Sequence, residues 1–185
     1  MLLDFRLLAE RVPLIKRVSK AAGRDEVLAL LEPLVAGWFG GRFEGLTEPQ
    51  AFALPLIHGG KNVLVSSPTG SGKTLTAFLT VLNELYALQK RGELEERIYC
   101  VYVSPLKALA NDINRNLEEP LREMTEMSAR LGEPAPEIRV GVRSGDTSTS
   151  ERQRQARRPP HIFITTPESL AIVLSAPKFR EKFDG

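Results

Sequence analysis

The stretch SSPTGSGKT, residues 66–74, nearly matches the phosphate-binding pattern G-x-x-x-x-G-K-[ST], except that Ser67 stands where the pattern begins with glycine. The apolar run NVLV (62–65) precedes it and predicts a buried strand, whereas an amphipathic helical pattern follows it and ends at Gly92. A strand, a glycine-rich turn and a helix in this order direct backbone N–H groups and a helix N-terminus toward an anion. The alternative, a glycine-rich turn with a solvated lysine, does not account for that order. The stretch therefore predicts a phosphate-binding loop.

Within the loop, residue types match the chemistry of a bound phosphate. A small residue at position 67 is sufficient, because glycine is needed there only if φ is positive. Glycines let the backbone approach the anion, the lysine adds a positive charge, and a hydroxyl at the start of the helix suits Mg²⁺. The predicted nucleotide contacts are Thr69, Gly70, Ser71, Gly72, Lys73 and Thr74, of which Lys73 and Thr74 are also the predicted catalytic residues and Thr74 the predicted Mg²⁺ ligand.

Outward from the loop, short runs rich in β-branched residues alternate with longer helical patterns. The predicted strands are NVLVSS (62–67), IYCVYVS (98–104), EIRVGVR (137–143) and HIFITT (161–166). The predicted helices are 74–92, 106–132 with a bend or restart at Pro120, and two upstream pieces, VLALLEPLVAGWF (27–39) and TEPQAFALPLIHGG (47–60). This alternation is typical of an α/β fold with a parallel sheet and helices on its faces.

Composition is that of an ordinary globular domain. The chain has 185 residues, 42% hydrophobic and 26% charged, and a formal net charge of +2, which by itself gives no argument for nucleic acid. No apolar run approaches the roughly 20 residues of a membrane span, and Asp4 and Glu10 do not fit a secretory signal, so we expect no membrane association and a cytoplasmic location. The single cysteine, Cys100, lies in the apolar run IYCVYV and is predicted to be a small buried hydrophobe.

A second feature lies upstream, in the frame FEGLTEPQ that contains Thr47 and Gln50. A glutamine amide can pair with the N6 and N7 edge of adenine, and the aromatic residues just before it, Trp38, Phe39 and Phe43, could stack on a base. Taken alone, Gln50 reads better as a helix-start residue and the aromatics read better as core.

Together, four motifs resemble the first RecA-like domain of superfamily 2 helicases, and within them the large helicase-related (Lhr-type) proteins. In order they are TEPQ (a Q motif), PTGSGKT (motif I), SPLKALAND at 104–112 (motif Ia) and TTPESL at 165–170 (motif Ib), and GVRSGDTSTSER at 141–152 resembles the Lhr-type segment between motifs Ia and Ib. DEAD-box RNA helicases fit less well, since their motifs Ia and Ib resemble PTRELA and TPGR. Ser67 replaces the usual alanine or glycine, and Leu46 stands where a proline often precedes the Q-motif threonine.

The resemblance implies a three-layer parallel sheet with ATP and Mg²⁺ at the loop, adenine near Thr47 and Gln50, and a groove for single-stranded or partly duplex nucleic acid, DNA favoured over RNA. Such a groove would use helix N-termini and strand ends that hold phosphates without reading sequence. Its predicted residues are Ser104, Pro105, Lys107, Gly145, Asp146, Thr147, Thr165 and Thr166. Residues 139–158 hold six arginines against two acidic residues, which is either a solvated helix face or an added contact to nucleic acid.

An acidic motif that such an ATPase needs, an apolar strand ending in Asp-Glu, is not found after the loop. We therefore expect the front part of a longer helicase: a helical N-terminal extension over 1–34 and an incomplete RecA-like domain over 35–185, truncated before motif II, with the remainder of the helicase as a partner. The resemblance places the strand of motif III beside the strand of the loop, so NVLVSS should lack a neighbour on one side. Two alternatives stay open: a non-catalytic, nucleotide-regulated nucleic-acid-binding module, and another loop-containing enzyme such as a kinase, which would have no use for motifs Ia and Ib.

Overall fold

The structure, a computed structural model, describes residues 16–105 and 107–183. Its helices are α1 (Arg24–Leu28), α2 (Pro33–Arg42), α3 (Glu48–His58), α4 (Lys73–Lys90), α5 (Lys107–Leu131), α6 (Thr149–Arg157), α7 (Pro167–Leu174) and α8 (Pro177–Arg180), followed by a 3₁₀ turn at Glu181–Phe183. Its strands are β1 (Cys100–Val103), β2 (Val140–Arg143) and β3 (Ile162–Thr165). Among the described residues, none of these helices has the length and apolar character needed to cross a membrane.

All three strands run parallel in the order β1-β3-β2, which confirms the predicted α/β class. Phe163 of the central strand lies opposite Val101 on one side and Gly141 on the other. Each strand has four residues, fewer than predicted, because β3 limits the ladder. Prolines 159, 160 and 167 flank β3 and have no N–H group to donate.

The prediction of a strand at NVLVSS (62–67) is wrong for the described residues. Residues 61–68 carry no regular secondary structure, and Leu64 is 84% exposed. A strand requires a neighbouring strand to accept and donate its backbone hydrogen bonds. The described chain supplies no such neighbour on either side of this segment, whereas the prediction left only one side unpaired.

Hydrophobic side chains pack on both faces of the sheet. On one face Ile162 and Ile164 of β3 join a large core formed with α2, α4 and α5, whose buried members include Leu34, Trp38, Phe39, Phe78, Leu79, Leu82, Leu85, Tyr86, Leu117 and Met124. On the other face Phe163 packs with Ile98, Val173 and Phe179. The alternation of neighbouring residues in β3 between the two faces produces the three layers.

Proline divides one of the predicted helices and leaves another continuous. The run 27–39 is not one helix, because α1 ends at Leu28 and α2 begins at Pro33, where proline fits the first position. Helix α5 continues through Pro120 without a restart. Gly92, with φ of 71°, lies just beyond the end of α4 and confirms the predicted stop.

Proline also explains how the segment before α1 attaches to the domain. Pro55 within α3 has no N–H group, so it leaves the carbonyl of Ala51 without its partner in the helix. The N–H of Ala22 donates to that carbonyl at 2.8 Å. The predicted extension over 1–34 lies partly outside the described residues, and α2 crosses its boundary with 35–185, so that domain division stays a prediction.

Candidate nucleotide and nucleic-acid sites

The phosphate-binding loop forms a tight turn at the start of α4. Gly70 and Gly72 have φ of 80° and 86°, in the left-handed region that favours glycine. Gly72 is the N-cap of α4, and its carbonyl accepts the N–H of Thr76 at 2.9 Å. The N–H groups of the first turn have no partner within a helix and carry its positive dipole end. This end of α4 therefore has the geometry of an anion site.

Lys73 lies across the loop. Its Nζ donates to the carbonyls of Ser67 and Pro68, both at 2.6 Å. The hydroxyls of Ser67 and Ser71 lie 2.6 Å apart. Thr74 is half-buried in the first turn of α4, whereas Thr69 is exposed. The predicted loop residues are thus brought together, with the lysine amine held over the loop backbone.

Thr47 and Gln50 lie against the same loop. A Cβ added to Gly72 would be 3.1 Å from Thr47 Oγ1 and 3.4 Å from Gln50 Nε2, so the loop backbone passes close over both side chains. Gln50 is 2% exposed, and its Oε1 accepts the N–H of Thr47 at 2.8 Å across the start of α3. The reading of Gln50 as a helix-start residue is confirmed, and its contact with adenine stays a prediction.

The aromatic residues upstream belong to the core, as the sequence favoured. Trp38 and Phe39 are buried, and Phe43 packs edge-on against Trp38 with ring centroids 6.2 Å apart. Trp38 Nε1 also donates to Glu123 of α5 at 2.7 Å, which holds α2 on that helix. Together with the neighbouring Arg42, this hydrogen bond lowers the pKa of the Glu123 carboxyl. Trp38 and Phe39 are therefore unavailable to a base.

A cavity of about 390 Å³ lies between segment 61–65 and α4. Its lining is half apolar and half polar: Ile57, Lys61, Asn62, Val63, Val65, Lys73, Thr76 and Ala77. A polyphosphate needs positive charge and exposed backbone N–H groups, and in these walls the positive charge comes from Lys61 and Lys73 alone. The cavity is the space beside the unpaired segment, distinct from the phosphate-binding turn.

At the carboxyl edge of the sheet, most of the predicted nucleic-acid side chains are already engaged. Ser104 and Thr165 are fully buried, and Thr165 Oγ1 donates to the carbonyl of Arg143 at 2.8 Å. Thr166 is the N-cap of α7, and its Oγ1 accepts the N–H of Ser169 at 3.4 Å. Contact with a phosphate at these positions would have to involve backbone groups. Pro105 is exposed, and the prediction for the Lys107 side chain lies outside the described part of the chain.

The turn at residues 144–147 is shaped by Arg152, a role that the sequence did not reveal. Its guanidinium donates to three carbonyls, of Thr147 at 2.9 Å, Gly145 at 3.0 Å and Ser144 at 3.4 Å. Thr147 closes the turn, because its Oγ1 accepts the N–H of Ser144 at 2.9 Å. Gly145 and Asp146 are exposed at its tip.

The six arginines of 139–158 do not form one basic patch. Arg139 and Arg158 meet Glu96 near the amino end of the sheet, at 2.7 and 3.8 Å. Arg154 pairs with Glu151 on α6. Arg143 ends β2 with its guanidinium 4.7 Å from the ring centre of Phe179, and burial lowers its pKa. The charge excess read from the sequence is therefore divided between opposite edges of the sheet.

Metal ligands are scarce. Within 16–105 and 107–183, no three His, Cys, Asp or Glu side chains come together as a metal site would require. Thr74 and the phosphates themselves are then the groups through which the described residues could hold Mg²⁺.

The parallel sheet between helices and the glycine-rich turn at the start of α4 are typical of a nucleotide-binding helicase domain. The comparisons with known proteins assign the chain to the same class. The chain matches the DEAD/DEAH box helicase family over residues 47–184 and belongs to that family. It is 58% identical over 158 residues to the ATP-dependent helicase Lhr-Core protein 2 of Thermococcus barophilus, covering 85% of this chain and 18% of that protein. It is 54% identical over 169 residues to the ATP-dependent helicase Lhr-Core of Methanothermobacter thermautotrophicus, covering 91% and 20%.

Among solved structures, the chain is similar to the helicase Lhr of Mycobacterium smegmatis bound to ssDNA and AMP-PNP. The TM-score is 0.77 at 44% sequence identity, over 84% of this chain and 19% of that one. The resemblance to Lhr-type helicases drawn from the motifs is confirmed. The chain spans about a fifth of the length of the relatives it matches.

Proposed function

We propose that the chain binds ATP with Mg²⁺ at the loop of residues 67–74 and a single strand of nucleic acid at the carboxyl edge of the sheet, as part of an ATP-dependent helicase or translocase. The observation that carries the proposal is the loop itself. Two left-handed glycines, a lysine amine held over the turn and a helix N-terminus converge at one point. Such a site suits a polyphosphate better than any other common ligand.

In this proposal Lys73 and Thr74 act on the terminal phosphates, Lys73 by charge and Thr74 as a hydroxyl ligand of Mg²⁺. Thr69, Gly70, Ser71 and Gly72 contribute backbone N–H groups. Bound ATP would supply the phosphoanhydride bond whose hydrolysis drives a helicase, and the residues of this chain bind and orient the nucleotide. The rest of the helicase would have to add the acidic residues that activate water.

Thr47 and Gln50 form the adenine side of the proposed site. Their contact with Gly72 supports this, because a base bound beside them would lie next to the phosphates at the loop. Gln50 Oε1 already accepts the N–H of Thr47 at the start of α3, so in this proposal Gln50 Nε2 is the group that contacts the base. A donor suits N7 of adenine, an acceptor.

The nucleic-acid contact is proposed at the exposed tip Gly145-Asp146-Thr147 and at backbone groups near Ser104, Pro105, Lys107, Thr165 and Thr166. These groups read no base, so binding should be independent of sequence and weaken steeply with salt. The ssDNA in the M. smegmatis relative supports DNA as the favoured strand.

The test is a calorimetric titration of the chain with Mg·ATP, in which Lys73→Ala should remove binding. Lys61→Ala is the matched control, an exposed lysine beside the loop that makes no loop contact in this proposal. Unchanged binding by the Lys73 variant would overturn the nucleotide site. The proposed binding of nucleic acid is tested by titrating single strands of different composition at two salt concentrations. A strong preference for one base would contradict sequence-independent binding.

The second candidate function is a nucleotide-regulated binding module without catalysis. It is favoured because, among the described residues, no three His, Cys, Asp or Glu side chains are grouped as a metal site. ATP hydrolysis by the chain, and by a longer protein that contains it, measured with and without single strands separates the two. Strand-stimulated hydrolysis by the longer protein supports the motor, and its absence supports the module.

A further inference from the structure

Ser67 stands where the helicases that this chain resembles carry alanine or glycine, and the structure uses its hydroxyl. Ser67 Oγ lies 2.6 Å from Ser71 Oγ, on the opposite side of the phosphate-binding turn. Since the two residues are four positions apart, the bond links the first residue of the turn to a residue near its end. Its length is typical of an O–H···O hydrogen bond.

The same residue is held a second way. Lys73 Nζ donates to the Ser67 carbonyl at 2.6 Å, so position 67 is tied to both residues 71 and 73. An alanine at 67 would keep the carbonyl and the lysine bond but would lose the link to Ser71. The contribution of the hydroxyl can therefore be separated from that of the lysine.

Between the two serines the chain contains Gly70, and Gly72 follows directly after Ser71. Glycine loses more conformational freedom than any other residue when its backbone is fixed. A link across a glycine-rich turn restricts the free loop toward one shape, which lowers the ordering cost that a ligand would otherwise meet on binding.

We propose that Ser67 is a positioning residue of the nucleotide site, whose hydroxyl braces Ser71 so that the loop is shaped for phosphate before the nucleotide arrives. The inference rests on the proposed function, since it assigns the loop to a nucleotide. It predicts that alanine at position 67, a usual residue in similar helicases, would give this chain a lower affinity for nucleotide than serine does.

Nucleotide binding by Ser67→Ala, Ser71→Ala and the double variant tests the brace, with Mg·ATP as the probe and the 185-residue chain as the protein. Each single variant should bind about fivefold more weakly, the factor expected for one neutral hydrogen bond, because a smaller fraction of the free loops has the binding shape. The double variant should bind no more weakly than either single one, because all three lack the same bond. Ser66→Ala, a change at the exposed neighbouring serine, is the control and should bind like the parent chain.

A second measurement needs no nucleotide. Amide hydrogen exchange of residues 69–72 should be faster in Ser67→Ala than in the parent chain, with the urea midpoint unchanged. Unchanged exchange, unchanged affinity, or losses that add in the double variant would overturn the brace. Failure of the proposed function has a different signature, namely equal binding by the parent chain and Lys73→Ala while the exchange difference persists.

Discussion

Gly72 and Gly70 provide a matched pair for measuring how tightly the loop rests on Thr47 and Gln50. Both have positive φ, so alanine at either position should cost about 1–2 kcal/mol of backbone strain. Only Gly72 faces a neighbour: an added Cβ would lie 3.1 Å from Thr47 Oγ1 and 3.3 Å from its Cγ2, whereas nothing lies within 4 Å of a Cβ at Gly70. Overpacking adds about 1–3 kcal/mol, so we expect Gly72→Ala to destabilise the fold by about 2–5 kcal/mol and Gly70→Ala by about 1–2.

Urea unfolding followed by tryptophan fluorescence measures both, because the single tryptophan, Trp38, is buried in the core. Thr47→Ala removes both atoms that the new Cβ would meet first. In that background Gly72→Ala should cost no more than Gly70→Ala. Equal losses for the two glycine variants in the parent chain would refute the contact between the loop and α3.

Three further predictions follow from burial and from the sheet edge. Burial, and next the nearby Arg139, lower the pKa of His161 from 6.5 to about 4. The unfolded chain therefore takes up the proton first, and stability should fall by on the order of 3 kcal/mol between pH 6.5 and 4, a slope that His161→Asn should flatten. Burial raises the pKa of the half-buried Cys100 to about 11, so a thiol reagent at about pH 8 should label the folded chain much more slowly than the unfolded chain, and equal rates would contradict this. The isolated chain should self-associate through the edge of β1, where Val101 and Val103 are exposed. Light scattering at increasing concentration measures the association, which Val103→Lys should reduce. A monomer at every concentration would contradict the prediction.

Local patterns predicted what depends on local physics. The spacing of apolar residues gave the buried face of α4, the glycines gave the turn, and the order of strands and helices gave a parallel sheet. The start of α2 at Pro33 could also have been read, since proline favours the first turn of a helix. Arg152 could not, because a surface arginine and one that binds three carbonyls have the same sequence signature. Its role depends on where the turn at 144–147 lies in space.

Segment 62–66 shows most clearly where prediction of structure from local sequence fails. Its short apolar run with two β-branched residues is typical of a strand, yet backbone hydrogen bonding is a property of a pair of strands. In the described residues β1 pairs with β3 alone, and a cavity lies between segment 61–65 and α4. The same residues placed beside a partner strand would fill that cavity with Val63 and Val65 and satisfy their own N–H and C=O groups. The sequence therefore encodes the preference of this segment, and the presence of a neighbour determines whether the preference is realised. The phosphate-binding turn begins where this segment ends. Pairing of the segment with a strand would therefore fix the position of Ser67, which is also bonded to Ser71 and Lys73 within the loop.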